Sequence, residues 1–392
     1  MTEPLMDFHL PEEKRSYLKA GFAVFFLLYL AGGIFTVVRQ VLALPFPLSI
    51  FMDFGFYQAA LARALSGGDM YSVRSIGEGY LYPPPALLPV DLLNILPDPV
   101  FRGALFAALD VLLAAGMVYG VARLYGLPLK RVWYWFPLAL GFGPLLVTME
   151  LGQINMLTEF GLALLVFYEL AAPAAAGFGL ALAIMTKVTP FFFGAYLLAT
   201  RNLKALLWTG VSLAGLAILA VLRYGIQPFL AYPEVFRGMS SLIPVGTNGQ
   251  ALAAHLARLG FSSPGLAQIV LTVYLFVVIL LASLQAFRSR KKEPAFIVTA
   301  LAMLLAPSIL WYHHYVFFLL PLLLWMGWRR DSLAVTLWCM AGLLLIQFDY
   351  FLLSGGLLIH VFGHLSILAV VFQGTKPRKG LSSRSTESID PS

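Results

Sequence analysis

Five polar clusters interrupt an otherwise apolar chain: Asp53 at the head of DFGFYQAALARAL; Glu150, Gln153 and Asn155 in ELGQIN; Lys187 and Thr189 in TKVTP; Asn248 and Gln250 in VGTNGQAL; and the pair His313 and His314 in ILWYHHYVFF. A carboxylate beside a lysine and imidazoles suits transfer of a group from a phosphate leaving group to a hydroxyl. The carboxylate takes the acceptor's proton as general base, and the cations neutralise the charge that grows on the departing phosphate. For a sugar, attack opposite the phosphate inverts the anomeric centre, and one base suffices because a lipid phosphate leaves without an acid's help. Taken singly, each residue also has a plainer role. Asp53 is a candidate helix N-cap, Lys187 can snorkel to headgroups, and the Gln, Asn and His residues can satisfy the ends of helices.

The elements that must position these residues follow from composition. Of 392 residues, 60% are apolar and 11% charged, and the mean hydropathy is +0.84; a soluble chain carries about 25% charged residues. A soluble enzyme is excluded, and an all-α polytopic membrane protein is expected. A single cysteine, Cys339, rules out an intrachain disulfide, and no Cys or His group has zinc-ligand spacing. The net charge of +7 comes as small clusters between apolar runs, not as a basic stripe with interleaved aromatics, so no nucleic-acid partner is expected.

A membrane helix needs roughly 20 apolar residues, and the apolar runs predict twelve spans: 19–38, 100–122, 132–149, 154–172, 174–185, 188–200, 203–222, 266–287, 295–311, 314–328, 332–350 and 355–372. The first run lacks a small-residue cleavage site and is expected to be retained. The stretch from Ala174 to Ala199 is split at Thr186-Lys187-Val188-Thr189-Pro190, because proline and lysine both disfavour a continuous helix there. With that split the basic clusters at Lys14 and Arg15, Lys130 and Arg131, Arg201 and Lys204, Lys291 and Lys292, Arg329 and Arg330, and Lys376 to Arg384 fall on one side. The positive-inside tendency makes that side cytosolic, along with both termini.

The expected organisation is a cytosolic segment at 1–19, one transmembrane catalytic domain at 20–372, and a disordered cytosolic tail at 373–392 rich in Ser, Lys and Arg. Two long outer loops, 39–99 and 223–265, lie within the domain. In the first, Phe54, Tyr57, Leu61 and Leu65 recur at helical spacing, and Leu87, Leu88, Leu92 and Ile95 repeat the pattern, so helices lying in the interface are expected. All five polar clusters then meet the outer face. An ionisable group held in lipid costs about 2.5–3.5 kcal/mol on insertion scales, which favours a functional reading of the set. Asp110, mid-span, reads first as a hydrogen-bonded packing residue and second as a proton relay; Asp349 sits near an outer span end, and Glu159 and Glu169 read as structural.

The ordered set DFGFYQAALARALSGGDMYS, YLYPPPALLPV, GQINML, TKVTP, the TNGQAL region with HLARL, and APSILWYHHYVFFLLPLLL resembles glycosyltransferase family 87, from Asp53 to Leu324. These are polyprenyl-phosphate-mannose-dependent mannosyltransferases of the glycosyltransferase-C superfamily. The resemblance implies that Asp53 is the catalytic base, that Lys187 with His313 or His314 contacts the donor phosphate, and that Gln153 and Asn155 lie at the sugar or acceptor cavity. Tyr82 and Pro83 would shape the loop beside it, with Asn248 and Gln250 as further sugar- or acceptor-binding residues. The family commonly reads Asn-Gln-Ser-Leu near TNGQAL, whereas here Gly249 precedes Gln250 and Ala251 follows it.

The expectation is therefore a membrane enzyme of about twelve spans in the plasma (inner) membrane, with its site on the extracytoplasmic face. It would transfer a hexose, most simply mannose, from a polyprenyl-phosphate sugar to a lipid or glycan acceptor with inversion. No metal and no cofactor are expected, since Asp53 stands alone and no Asp-x-Asp pair occurs in the outer loops. The rival is a lipid-linked sugar flippase or other transporter, in which Asp110 and Lys187 would serve as intramembrane ionisable groups.

Overall fold

The computed structural model describes residues 12–43, 51–73, 79–240, 249–289, 291–330, 332–348 and 355–375, and every regular element among them is helical. In chain order these are α1 (Glu12–Ala43), α2 (Met52–Leu65), α3 (Leu88–Leu93), α4 (Pro99–Leu124), α5 (Leu129–Val132), α6 (Trp135–Leu140), α7 (Gly143–Leu151), α8 (Asn155–Tyr168) and α9 (Pro173–Thr186). There follow α10 (Phe192–Ala199), α11 (Leu203–Tyr224), α12 (Gln227–Ser240), α13 (Leu252–Arg258), α14 (Pro264–Ser289), α15 (Glu293–Leu305), α16 (Leu319–Trp328), α17 (Leu333–Phe348) and α18 (Gly355–Thr375). Short 3-10 turns cover Pro84–Leu87, Thr189–Phe191 and Tyr312–Phe318.

Four described helices are long and apolar enough to cross a membrane: Pro99–Leu124, Leu203–Tyr224, Pro264–Ser289 and Gly356–Gly374. With the shorter apolar helices around them they make a multi-pass membrane protein. In α4 the buried residues Gly103, Phe106, Asp110, Ala114, Met117 and Val121 recur at helical spacing, while Val100, Phe101, Leu105 and Leu112 point outward. An apolar outer face of this kind is what lipid requires. By contrast, every residue of α15 after its first and every residue of α16 is buried, which makes these two helices the centre of the bundle. Between α8 and α9 packing is backbone-close: a Cβ at Gly161 would lie 2.5 Å from the Gly179 carbonyl oxygen, and one at Gly179 equally close to that of Gly161. Only small residues allow such an approach in a membrane bundle.

Several predicted spans are broken. The run 132–149 is not one helix but α5, α6 and α7, because Pro137 and the Gly141-Phe142-Gly143-Pro144 stretch interrupt it. Gln347 of α17 satisfies the backbone freed at that break. Its Oε1 accepts the Gly143 N–H at 2.7 Å, and its Nε2 donates to the carbonyls of Gly141 and of Tyr29 in α1, both at 3.0 Å. Replacing Gln347 with Leu strips the partner from the Gly143 N–H and the Gly141 C=O at the break, and about 1–3 kcal/mol per buried orphan is the expected loss of stability. Thermal unfolding in detergent should register it as a clearly lower midpoint, and an unchanged midpoint would remove Gln347 from this role.

The run 295–311 likewise stops at Leu305, before Pro307. Gln268 and Thr272 of α14 both donate to the Ala306 carbonyl left open there. Helix α16 begins at Leu319, later than the predicted 314, and the Glu159 carboxylate accepts the Leu320 N–H at 2.9 Å at that junction. The break after Thr186 falls where the Lys-Val-Thr-Pro sequence predicts it, with Lys187 in extended backbone (φ −146°, ψ 139°). In the first outer loop α2 forms as expected, with Phe54, Tyr57 and Leu61 buried. The second stripe forms in part: a 3-10 turn and the short α3 cover Pro84–Leu93 with Leu87 and Val90 buried, while Leu92 (74% exposed) and Ile95 (86%) face out. Asp349 and the segments 1–11 and 376–392 lie outside the described residues.

Candidate active site

The polar residues are gathered at the joints between helices. Asp53 is in the first turn of α2, not at its N-cap; that position is Phe51, and no side chain caps the helix. The plainer reading of Asp53 therefore does not hold. Two contacts clip this end of α2 to the α7–α8 turn. The Phe51 N–H donates to the Glu150 carbonyl at 2.7 Å. Gly152, at φ 67°, closes α7 in the left-handed region, and a Cβ there would lie 2.6 Å from the Phe54 Cβ. Glycine meets both demands, the positive φ and the close approach.

The next residue, Gln153, is the hub. Its Nε2 donates to the Asp53 carboxylate, and its Oε1 accepts the hydroxyls of Tyr57 at 3.0 Å and Tyr82 at 2.9 Å. Gln153 is buried, 5% exposed, with both its amide oxygen and its amide nitrogen hydrogen-bonded, so one Asp53 oxygen is held in a fixed direction. Asn155, fully buried in the first turn of α8, donates to Thr148 Oγ1 at 3.3 Å and to the His313 carbonyl at 3.4 Å. Its own Oδ1 has no hydrogen-bond partner among the described residues.

Lys187 lies in the α9–α10 break, with Nζ 5.1 Å from the ring centroid of Phe317 in a cation–π contact. Its neighbour Thr186 shares a 2.8 Å hydrogen bond with Thr158 of α8. Lys187 bears electrostatically on Asp53 and on both His313 and His314. The two imidazoles meet edge to face at 4.5 Å, and His314 Nδ1 accepts the Trp311 N–H at 3.2 Å. That bond fixes Nε2 as the protonated nitrogen of a neutral His314.

Burial dominates the electrostatics of the charged pair. It pushes the Asp53 carboxyl up to about 6, against the opposing pull of the Gln153 hydrogen bond and of Lys187. It drives Lys187 well below the ordinary lysine range, with Asp53 pulling it part of the way back. The arrangement is poised: a carboxylate that can take a proton near neutral pH, and a cation that an incoming anion would strengthen.

The structure thus brings together Asp53, Gln153, Tyr82, Asn155, Lys187, His313 and His314. Gln250 is attached through its backbone: its N–H donates to the Leu310 carbonyl at 2.7 Å, on the segment leading to the His pair. Its side chain lies against Gly356, beside His255. Asn248 lies outside the described residues. Tyr57, Thr148, Thr158 and Phe317 join the site without being among the residues that stand out in the sequence; Tyr57 belongs to the apolar face of α2, although a phenol within four residues of Asp53 is a visible signal. Glu169 is held by Tyr196 at 2.8 Å and Lys292 at 3.4 Å, and Glu159 by the Leu320 N–H. Asp110 is 1% exposed, and neither carboxyl oxygen has a hydrogen-bond partner among the described residues, contrary to the hydrogen-bonded packing role expected of it.

Comparison with known proteins adds to this geometry. Residues 80–310 match the model of a family described as Glycosyltransferase family 87. The chain is 26% identical, over 73% of its length and 71% of the relative's, to a polyprenol-phosphate-mannose-dependent alpha-(1-2)-phosphatidylinositol mannoside mannosyltransferase of Mycobacterium tuberculosis. A protein of the same description from Mycolicibacterium smegmatis is 28% identical over 82% of this chain and 80% of its own. A phosphatidylinositol pentamannoside mannosyltransferase of Mycobacterium tuberculosis is 26% identical over 63% of this chain and 58% of its own. No solved structure matches.

Proposed function

The chain belongs to glycosyltransferase family 87, a match that spans more than half of its length, and from this premise we propose that it transfers mannose from a polyprenyl-phosphate donor to a lipid-linked acceptor of the phosphatidylinositol mannoside kind, with inversion. It is a glycosyltransferase, and the family favours that reading over a transporter. The observation that carries the proposal is the Asp53 carboxylate, aimed by Gln153 and within electrostatic reach of Lys187 and, through it, of the His pair.

In this reading Asp53 removes the proton of the acceptor hydroxyl as the oxygen attacks the anomeric carbon. The bond from that carbon to the phosphate oxygen breaks on the opposite face, and the polyprenyl phosphate leaves with the electron pair. Lys187 and one of His313 and His314 take up the growing phosphate charge. Asn155, with its free Oδ1, is suited to accept a sugar hydroxyl, and Gln153 and Tyr82 orient the base. Asn248 and Gln250 would close the cavity from the second outer loop. The architecture proposed with this function is the glycosyltransferase-C fold in the plasma membrane, with twelve spans at 20–372, cytosolic termini at 1–19 and 373–392, and the site on the outer face. Cytosolic nucleotide sugars would not reach such a site, which favours a lipid-linked donor.

The test is transfer from polyprenyl-phosphate mannose by the protein in vesicles, followed against pH. Asp53 must be ionised to act, and its carboxyl is pushed up to about 6. Turnover should therefore fall as pH drops through that value and level off above it. A profile flat through the acid limb would exclude Asp53 as the group that titrates, and absence of transfer with any polyprenyl-phosphate sugar would remove the function itself.

A further inference from the structure

Gln250 is the meeting point of three elements. Its N–H donates to the Leu310 carbonyl at 2.7 Å, three residues before His313. Its own carbonyl accepts the Nε2–H of His360 in α18 at 3.0 Å. On its other side the Gly249 carbonyl accepts Arg258 Nη1 at 3.0 Å, and Nη2 of the same guanidinium donates to His255 Nδ1 at 2.7 Å, which ties the turn back to α13. Leu310, Ala251 and His360 are at most 2% exposed, so a bond lost here is not made good by bulk water.

Helix α18 grips Gln250 twice, from one face. Gly356 and His360 are four residues apart, which stacks them on the same side of the helix. A Cβ at Gly356 would lie 2.2 Å from both Gln250 Oε1 and His255 Nε2. Glycine thus lets the first turn of α18 come down on the Gln250 side chain, while His360, one turn on, holds the Gln250 carbonyl. The His360 ring serves this one hydrogen bond: its Nδ1 is buried with no partner among the described residues. The next turn fixes the helix against α14, with His364 Nδ1 donating to the His360 carbonyl at 2.7 Å and its ring stacked on Tyr274 at 6.2 Å.

The other end of the linkage is the His pair. The stretch from Ala306 to Trp311 has no helix of its own, so the bonds taken up at its carbonyls set where the His-bearing turn begins. Ala306 is held from α14, and Leu310 is held by Gln250. We propose that His360 is a positioning residue for transfer: through Gln250 it sets the place of His313 and His314 at the donor phosphate. This rests on the transferase reading above and adds to it a residue of the C-terminal helix that acts without touching the reacting groups.

The test sets two replacements of His360 against each other in the full-length protein. Phenylalanine keeps the ring and removes the N–H, whereas glutamine gives up the ring and returns an N–H from its Nε2. Transfer is followed in vesicles with polyprenyl-phosphate mannose as donor and octyl mannoside as acceptor. His360→Phe should lower kcat by about tenfold with the acceptor KM unchanged, and His360→Gln should stay within about threefold of wild type, since a displacement of about 1 Å costs up to about a hundredfold. A ring that only fills space gives the reverse order. A phenylalanine variant at least as active as the glutamine variant, or a loss carried by the acceptor KM, would overturn the proposal.

Hydrogen exchange in nanodiscs reads the linkage without the chemistry. His360→Phe should speed exchange of the amides at 250 and 311–314 and leave those at 52–58 and 183–189 as in wild type. Unchanged exchange at 250 and 311–314, or faster exchange in all these stretches, overturns the linkage. If wild-type protein transfers no sugar, the transferase reading fails, and the exchange pattern alone decides whether His360 places the pair.

Discussion

Asp53→Asn will lower transfer by about 10²–10⁴-fold, the usual contribution of a positioned general base, while the protein still inserts and binds donor. The substitution isolates the proton-accepting function because of what holds Asp53. Gln153 Nε2 donates to one carboxylate oxygen, and an asparagine oxygen can accept the same bond with little change of shape. The clip from the Phe51 N–H to the Glu150 carbonyl is backbone and survives as well. Steady-state transfer measured beside donor binding is the check: activity within a fewfold of wild type would mean that the base lies elsewhere.

Lys187→Met is the second large effect, with an expected fall in kcat of about 10²–10³-fold, the scale for losing one group that stabilises developing charge. Methionine keeps the unbranched stem and a favourable contact of sulfur with the Phe317 ring, so packing around the break is preserved. Because burial holds the Lys187 ammonium well below its ordinary range in the unliganded protein, the donor phosphate should recruit a proton as it binds. Donor affinity should therefore weaken at alkaline pH in wild type and lose that dependence in Lys187→Met. A variant with unchanged kcat and the same alkaline loss would remove Lys187 from the phosphate site.

The long helices were readable because an uninterrupted apolar run has one outcome in lipid; Pro99–Leu124, Leu203–Tyr224 and Pro264–Ser289 fall within a few residues of their predicted limits. The break at Lys187 was readable for the complementary reason, a charge and a proline inside such a run. The breaks at Gly141–Gly143 and Ala306–Trp311 were not. Hydropathy records side chains, whereas a break is tolerated when a distant group takes up the freed backbone, here Gln347, Gln268, Thr272 and Glu159. The site divides in the same way. Asp53, Gln153, Lys187 and the His pair stood out as polar residues that lipid would otherwise reject. The groups that aim them, Tyr57 on Gln153, Thr158 on Thr186 and Phe317 beneath Lys187, look like ordinary helix-face residues until the chain is folded.

The candidate residues come from five separate joints: the head of α2, the segment of Tyr82 before the 3-10 turn at Pro84–Leu87, the α7–α8 turn, the α9–α10 break and the 3-10 turn that precedes α16. No one helix carries residues from two of these joints, so their mutual spacing depends on how each helix leans against the others. Thinning or stiffening the surrounding bilayer changes those angles, and turnover should follow lipid composition even where every contacting side chain is left untouched.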